Sequence, residues 1–400
     1  MSDYPKSPVA ILFSGGDSPG MNALLRAVAR LGLNRHGVPV LGIREGYRGL
    51  LRAARHAHES EKNLFVMKQQ IASRKGRWGL IHTEQDIIQL DHASVSGVVG
   101  VGGTMLGSAR CLDFKKKEVR AEAIRLLKEL DIRALIVCGG DGSLAGAERI
   151  TQESDIRVIG VPCTIDNDLF FTEMAIGVDT AVGTLVWAVD HFKDTARSHK
   201  RIMVLETMGA KHGELARLSA IASGAEMIIT PRWGADGKQI PVTKDDILHL
   251  ADGIKAGMER GRSHTIVLVA EGVEFDPEQH IPSFVDPEKK PSKRSRAYVL
   301  ADYFQSYFEQ QGGDLKDLEV RPSTLGHLQR GGHATPQDCI LAARFAEQAW
   351  NSIMDPHEGS GITALRNGRV ELVPFGAPDL PERREMSAEL NRLHKDLSTW

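Results

Sequence analysis

The sequence predicts an α/β fold carried by mostly parallel sheets. Two observations lead there. Short apolar runs recur and end in glycine-rich turns, as strands buried on both faces of a parallel sheet do. Between them lie stretches with apolar residues at helical spacing, and strands alternating with helices imply parallel pairing.

The elements follow in order. Residues 9–13 lead into Ser14-Gly15-Gly16-Asp17, and Met21, Leu24, Leu25, Val28 and Leu31 then form one helical face. Residues 52–83 are rich in charge and histidine and read as an exposed insertion. The run 134–138 enters Gly139-Gly140-Asp141-Gly142-Ser143, and 158–162 enters Cys163-Thr164-Ile165-Asp166-Asn167-Asp168. Strands at 202–206 and 265–270 end at Thr207-Met208-Gly209 and Glu271-Gly272. Helices are expected at 214–225, 245–258 and 297–310. Residues 274–296, with four prolines and a basic cluster, read as a second exposed loop.

Bulk properties bound the function. A chain of 400 residues suits two or three domains or one two-lobed unit. A net charge of −2 argues against a nucleic-acid protein. Cys111, Cys138, Cys163 and Cys339 show no CxxC spacing, so neither zinc nor a redox pair is indicated. The N-terminal residues lack a signal-peptide pattern, and no apolar run is long enough for a bilayer. The expectation is a cytoplasmic protein without membrane or nucleic-acid partners.

Ligands of open α/β sheets collect at the carboxyl ends of the strands, where these turns stand. Gly15 and Gly16 allow close backbone approach to phosphate ahead of a helix N-terminus, though a Gly-Gly pair alone suits any tight strand-to-helix turn. Gly139 to Ser143 repeats the device and adds the Asp141 carboxylate, which suits a nucleotide phosphate with Mg²⁺. Asp166 and Asp168 are two apart, which in an extended segment puts both carboxylates on one side. Arg110 follows Gly102-Gly103-Thr104 and Gly107-Ser108, where a guanidinium could steady a phosphoryl group in transfer; a surface salt bridge explains it equally well. Arg321, His327 and Arg330 lie in a Gly-rich run that suits a sugar-phosphate clamp. There is no GxxxxGK[ST] loop, GxGxxG fingerprint or GxSxG elbow.

Together these segments resemble the 6-phosphofructokinase family, from Ile11 to Asn22 through Arg330-Gly331-Gly332 and on into Pro336-Gln337-Asp338. The resemblance implies two Rossmann-like three-layer lobes, with the active site in the cleft between them. By motif position the donor lobe is 1–177 with 329–375, and the sugar-phosphate lobe is 178–328 with 376–400. It implies ATP and Mg²⁺ as donor, fructose 6-phosphate as acceptor, and a homotetramer. Asp166 matches the general base, and Thr164 a neighbour of the transferred phosphate. Gly16 and Arg110 match residues holding the phosphoryl group. Gly15, Lys115, Gly140, Asp141, Gly142 and Ser143 fall in the donor site, and Asp141 and Asp168 match the Mg²⁺ acids. Met208, Gly209, Glu271 and His327 match the sugar grip. Arg201, Arg321 and Arg330 match the phosphate clamp, with Arg201 and Arg321 supplied by a neighbouring subunit. Arg26, Arg30, His92, Lys193 and Glu226 fall at effector-site positions of allosteric members.

Pyrophosphate-dependent members usually carry Asp at the position of Gly142 and Lys at that of Cys163, so ATP is favoured. Two residues depart from the pattern: Cys163 replaces a usual glycine, and Ala210 replaces an arginine, with Lys211 next to it as a substitute. Three other readings stay open: a pyrophosphate-dependent enzyme, a different sugar-phosphate acceptor, and a low-activity regulatory paralogue. The residues 52–83 and the tail beyond about residue 355 exceed the short bacterial enzymes.

Overall fold

The computed structural model describes residues 7–73, 86–234, 236–276, 295–311, 315 and 317–398. In chain order the elements are β1 (Val9–Phe13), α1 (Met21–Leu31), β2 (Val40–Ile43), α2 (Gly46–His58), α3 (Glu61–Ser73), β3 (Ile87–Leu90), α4 (Lys117–Glu129), β4 (Ala134–Gly139), α5 (Asp141–Glu153) and β5 (Arg157–Pro162). Then come α6 (Val178–His199), β6 (Ile202–Thr207), α7 (Glu214–Ser223), β7 (Met227–Ile229), β8 (Arg232–Trp233), β9 (Gln239–Ile240), α8 (Lys244–Glu259), β10 (Thr265–Ala270), α9 (Arg296–Gln311) and β11 (Val320–Thr324). The chain closes with α10 (Pro336–Met354), β12 (Gly361–Arg366), β13 (Arg369–Val373) and α11 (Pro381–Leu397).

These elements form two units. The first holds Met1–Ile165, Leu169–Thr180 and Arg330–Leu380; the second holds Asp166–Asp168, Ala181–Gln329 and Pro381–Trp400.

The first unit is built on a seven-stranded sheet in the order β13-β12-β5-β4-β1-β2-β3. The inner strands are parallel, and only the edge strands β3 and β13 run antiparallel to their neighbours. Alternation along β1 builds both faces. Val9, Ile11 and Phe13 pack with Leu25, Val28, Phe345 and Trp350 of α1 and α10. Ala10 and Leu12 pack with Leu50, Leu127 and Ile150 of α2, α4 and α5. The result is helix, sheet, helix. Trp350 is fully buried, and its Nε1–H donates to the Val28 carbonyl at 2.9 Å.

The second unit has a fully parallel sheet in the order β11-β6-β10-β7. Ile202 and Val204 face α8 and α9 through Ile254, Phe304 and Phe308. Met203 and Leu205 face α6 and α7 through Val189 and Ala220. Thr243 starts α8 with a capping box: its hydroxyl accepts from Asp246 N while Asp246 Oδ2 accepts from Thr243 N at 2.8 Å.

One expectation needs correction. Residues 52–73 are not an exposed loop, because they complete α2 and, after a short turn, form α3. Tyr47, Leu50, Leu51, Ala54 and Ala57 bury one face of α2, and Arg48, Arg52, Arg55 and His56 point outward. A window opening at residue 52 cuts that face in half and hides its period. Residues 74–85 and 277–294, including most of the second expected loop, lie outside the described residues. The tail beyond residue 355 supplies β12 and β13 to the first sheet and α11 to the second unit. Among the described residues no helix is long and apolar enough to cross a membrane. All four cysteines are free thiols, with Cys138 and Cys163 buried.

Candidate functional site

In the first unit, the turns after β1, β4 and β5 meet at the carboxyl edge. Ser14 N–H donates to the Cys138 carbonyl at 2.9 Å, and Cys163 N–H to the Gly139 carbonyl at 3.0 Å. Gly15 has φ +91°, a conformation that favours glycine. Its N–H donates to Ala109 O at 3.2 Å, and its carbonyl accepts from Ser108 Oγ at 2.6 Å. The Gly107-Ser108-Ala109-Arg110 segment is thereby laid along the end of β1, with Arg110 exposed. Gly16 is packed against an arginine: an added Cβ would stand 2.8 Å from Arg330 Nη1. That same Nη1 donates to the Asp17 carbonyl at 3.0 Å, so Arg330, assigned from the sequence to the sugar phosphate, is seated beside the first glycine turn.

Gly140 caps α5, whose first turn holds Asp141, Gly142 and Ser143. Asp141 and Gly142 are exposed. A Cβ on Gly142 would meet nothing within 4 Å, so the fold itself does not require glycine there. Ser143 is buried, and its hydroxyl donates to Ser14 O at 2.9 Å, bracing the first turn. A Cβ on Gly140 would stand 3.5 Å from Thr164 Cβ, which joins the second and third turns. Lys115 is exposed at the end of a short 3₁₀ turn, Leu112–Lys115.

The Asp166–Asp168 segment belongs to the second unit and is not extended. Asn167 has φ +52°, which bends the backbone between the carboxylates. Their shared side therefore does not follow from a strand pleat. Ile165 and Asn167 are nonetheless buried while Asp166 and Asp168 are half-buried.

In the second unit Met208, Gly209, Glu271 and His327 gather at the carboxyl edge of the sheet. Glu271 N–H donates to Thr207 O at 2.8 Å, and Met208 N–H to Gln329 Oε1 at 3.0 Å. Gly209 has φ +125°. Ala210 also has positive φ, and its N–H donates to Glu271 Oε1 at 3.2 Å. Lys211 beside it is exposed. His212 is half-buried and stacks on Trp233; burial holds its pKa below the ordinary imidazole value.

Arg201 and Arg321 are not in this group. Arg201 precedes β6 and Arg321 is the second residue of β11, so both stand at the amino edge of the sheet. There they share one carboxylate. Arg201 Nε donates to Glu319 Oε2, and Arg321 Nη2 donates to Glu319 Oε1 at 3.0 Å. The hydrogen bond from Arg201, above all, holds the Glu319 carboxyl below its usual range. Among the effector-position residues, Arg26, Arg30 and His92 lie in the first unit, and Lys193 and Glu226 in the second. Glu226 Oε2 accepts from Ile266 N at 2.7 Å.

Sequence reasoning missed Glu319, Gln329 and Tyr47. Glu319 lies two residues before Arg321, a spacing that strand alternation makes visible. Gln329 is fully buried, and its amide also donates to Gly326 O at 3.0 Å, which ties the His327 turn to Met208. Tyr47 Oη donates to Ser143 O at 2.9 Å, a contact that no local pattern signals.

The Phosphofructokinase family profile matches residues 8–353. The chain belongs to the phosphofructokinase family. Among curated relatives, the ATP-dependent 6-phosphofructokinase of Halothermothrix orenii is 38% identical over 362 residues, 90% of this chain and 91% of the relative. That of Staphylococcus epidermidis is 34% identical over 391 residues, 98% and 99% of the two chains. The phosphofructokinase structure from Saccharomyces cerevisiae superposes with a TM-score of 0.72 at 27% identity, covering 98% of this chain and 47% of the yeast chain. The chain thus spans about half the length of that yeast protein. A pyrophosphate-dependent phosphofructokinase from Nitrosospira multiformis, TM-score 0.64 and 18% identical, shares the fold.

Proposed function

We propose that this phosphofructokinase-family chain transfers the terminal phosphoryl group of ATP to the 1-hydroxyl of D-fructose 6-phosphate. The products are ADP and fructose 1,6-bisphosphate, in a committed step of glycolysis in the cytoplasm. The observation that carries the ATP assignment is Gly142. It is exposed in the first turn of α5, in open space and with no structural need for glycine. The acidic side chain usual in pyrophosphate-dependent enzymes would fit the fold, and this chain lacks it. The relatives at 34–38% identity are named as ATP-dependent.

Gly15, Gly16, Gly140, Asp141, Gly142 and Ser143 form the donor site in this reading, with Lys115 toward the adenosine. Ser143 serves by bracing the Ser14 turn. Exposed carboxylates suit a hard cation that keeps several waters and is bound mostly through phosphates; Asp141 and half-buried Asp168 fit that set. Mg²⁺, when bound there, neutralises charge on the phosphates. Asp166 accepts the proton of the 1-hydroxyl as the new O–P bond forms. Arg110 stabilises charge on the phosphoryl oxygens, beside Gly16 and Thr164. Met208, Gly209, Glu271 and His327 grip the sugar, and Arg330 supports the glycine turn through Gly16 and Asp17. Arg201 and Arg321 hold the 6-phosphate of a sugar bound to a second copy of the chain, in a homotetramer. The Arg26, Arg30, His92, Lys193 and Glu226 positions support allosteric control.

The test is phosphorylation of fructose 6-phosphate by the purified protein with MgATP and with Mg-pyrophosphate in parallel. ATP is expected to be preferred by at least about a hundredfold in kcat/KM. Preference for pyrophosphate would remove Gly142 as the donor marker.

A further inference from the structure

Glu319 stands between two arginines whose role in the proposed reaction is to hold a phosphate. Its side chain accepts from Arg201 Nε with one oxygen and from Arg321 Nη2 with the other. Its backbone is fixed as well, because the Glu319 carbonyl accepts from Ile202 N at 3.0 Å. The carboxylate is therefore anchored where β6 and β11 begin side by side. Two guanidiniums brought this close repel each other, and a carboxylate bridging them offsets that repulsion and sets their spacing. A guanidinium carries five N–H donors in a rigid fork. The two bonds to Glu319 use one donor from each, Nε of Arg201 and Nη2 of Arg321.

We infer that Glu319 is a positioning residue for phosphate recognition: it assembles Arg201 and Arg321 into one preformed anion-binding pair for a phosphate monoester. The inference rests on the proposed assignment of the two arginines to fructose 6-phosphate and adds the group that arranges them. Donor count separates it from the opposite role, in which Glu319 merely occupies the arginines until phosphate displaces it. One bond per fork orients a guanidinium and does not use up its donors. The cluster is also partly exposed, with side chains 24%, 45% and 55% accessible for Arg201, Glu319 and Arg321. Solvent screening therefore makes the expected effect modest.

The experiment compares the full-length wild type with Glu319→Gln. The isosteric amide keeps one acceptor and turns its NH₂ toward the second arginine, which breaks the bridge. The half-saturating concentration of fructose 6-phosphate is expected to rise about three- to fivefold, with kcat held within about twofold. Inorganic phosphate should weaken by a similar factor as a competitor of the sugar. A half-saturation value that is unchanged or lower overturns the inference, and a lower one assigns Glu319 the competing role. Wild type that turns over no fructose 6-phosphate would instead sink the kinase reading. Calorimetric titration of both proteins with inorganic phosphate still decides Glu319 then: weaker binding by the variant supports it, and equal or tighter binding overturns it.

Discussion

Gly16 shows how one absent side chain sets the chemistry of its neighbours. A Cβ there would press on Arg330 Nη1 at 2.8 Å and push the guanidinium off the Asp17 carbonyl. The clash is with the far end of a flexible side chain, so Arg330 can move and the fold survives. Gly16→Ala is therefore expected to leave the thermal midpoint within about 2 °C and to lower kcat by at least about tenfold. Steady-state kinetics beside a thermal melt would check it; unchanged turnover would mean that Arg330 can leave its seat without cost. At this scale the sequence was legible wherever chemistry forces residue type. Gly15 sits at positive φ, as a tight phosphate turn requires. It was not legible where a residue acts through distant partners. Ser143 falls in a donor-site motif, yet its hydroxyl is turned inward to Ser14, 129 positions away. Asp166 and Asp168 were expected on one pleat, and the left-handed Asn167 between them is a backbone choice that residue spacing does not reveal.

The elements were legible in proportion to how completely they are buried. The runs that become β1, β4, β5, β6 and β10 are apolar on both faces and stand out in the sequence. The β12–β13 hairpin was missed, although Asn367-Gly368, both at positive φ, form the kind of two-residue turn that favours a hairpin. α11 was missed for another reason: its docking is polar. Asn391 Oδ1 accepts from Arg217 Nε at 2.9 Å, and the buried His394 donates Nε2–H to Ala225 O at 2.9 Å. Burial holds the His394 pKa below its ordinary value, so the docked imidazole is neutral. Its folded value lies under the unfolded one, at about 6.5. The stabilisation is therefore complete above that pH and is lost as pH falls through the depressed folded value. The protection of amides in α11 and the facing α7, corrected for the intrinsic pH dependence of exchange, should fall as pH drops below about 6.5. His394→Gln should flatten that dependence; an equally steep profile in the variant would place the titrating group elsewhere.

At the scale of the molecule, the second sheet separates residues that one sugar phosphate would need together. Met208 and Glu271 follow the carboxyl ends of β6 and β10, whereas Arg201 and Arg321 stand at the amino ends of β6 and β11. β6 is six residues long, which at a strand's rise puts its two ends roughly 20 Å apart. That exceeds the length of a fructose phosphate, so one chain cannot present both edges to the same sugar. A second copy can, if its amino edge lies against the carboxyl edge of the first in a symmetric assembly. The resemblance implied such sharing, and the proposed reaction would need it if Arg201 and Arg321 bind the same sugar as Met208 and Glu271. Asp166→Asn and Arg201→Ala should each be nearly inactive as pure proteins at low fructose 6-phosphate. Co-expressed in equal amounts, they can form sites that take Asp166 from one chain and Arg201 from the other. Random mixing with two different chains per site should restore roughly a quarter of wild-type activity. Mixed oligomers, purified through two different tags and assayed against each parent, decide the matter. Recovery toward that fraction means a shared site. Activity no greater than the average of the parents means that each chain completes its own.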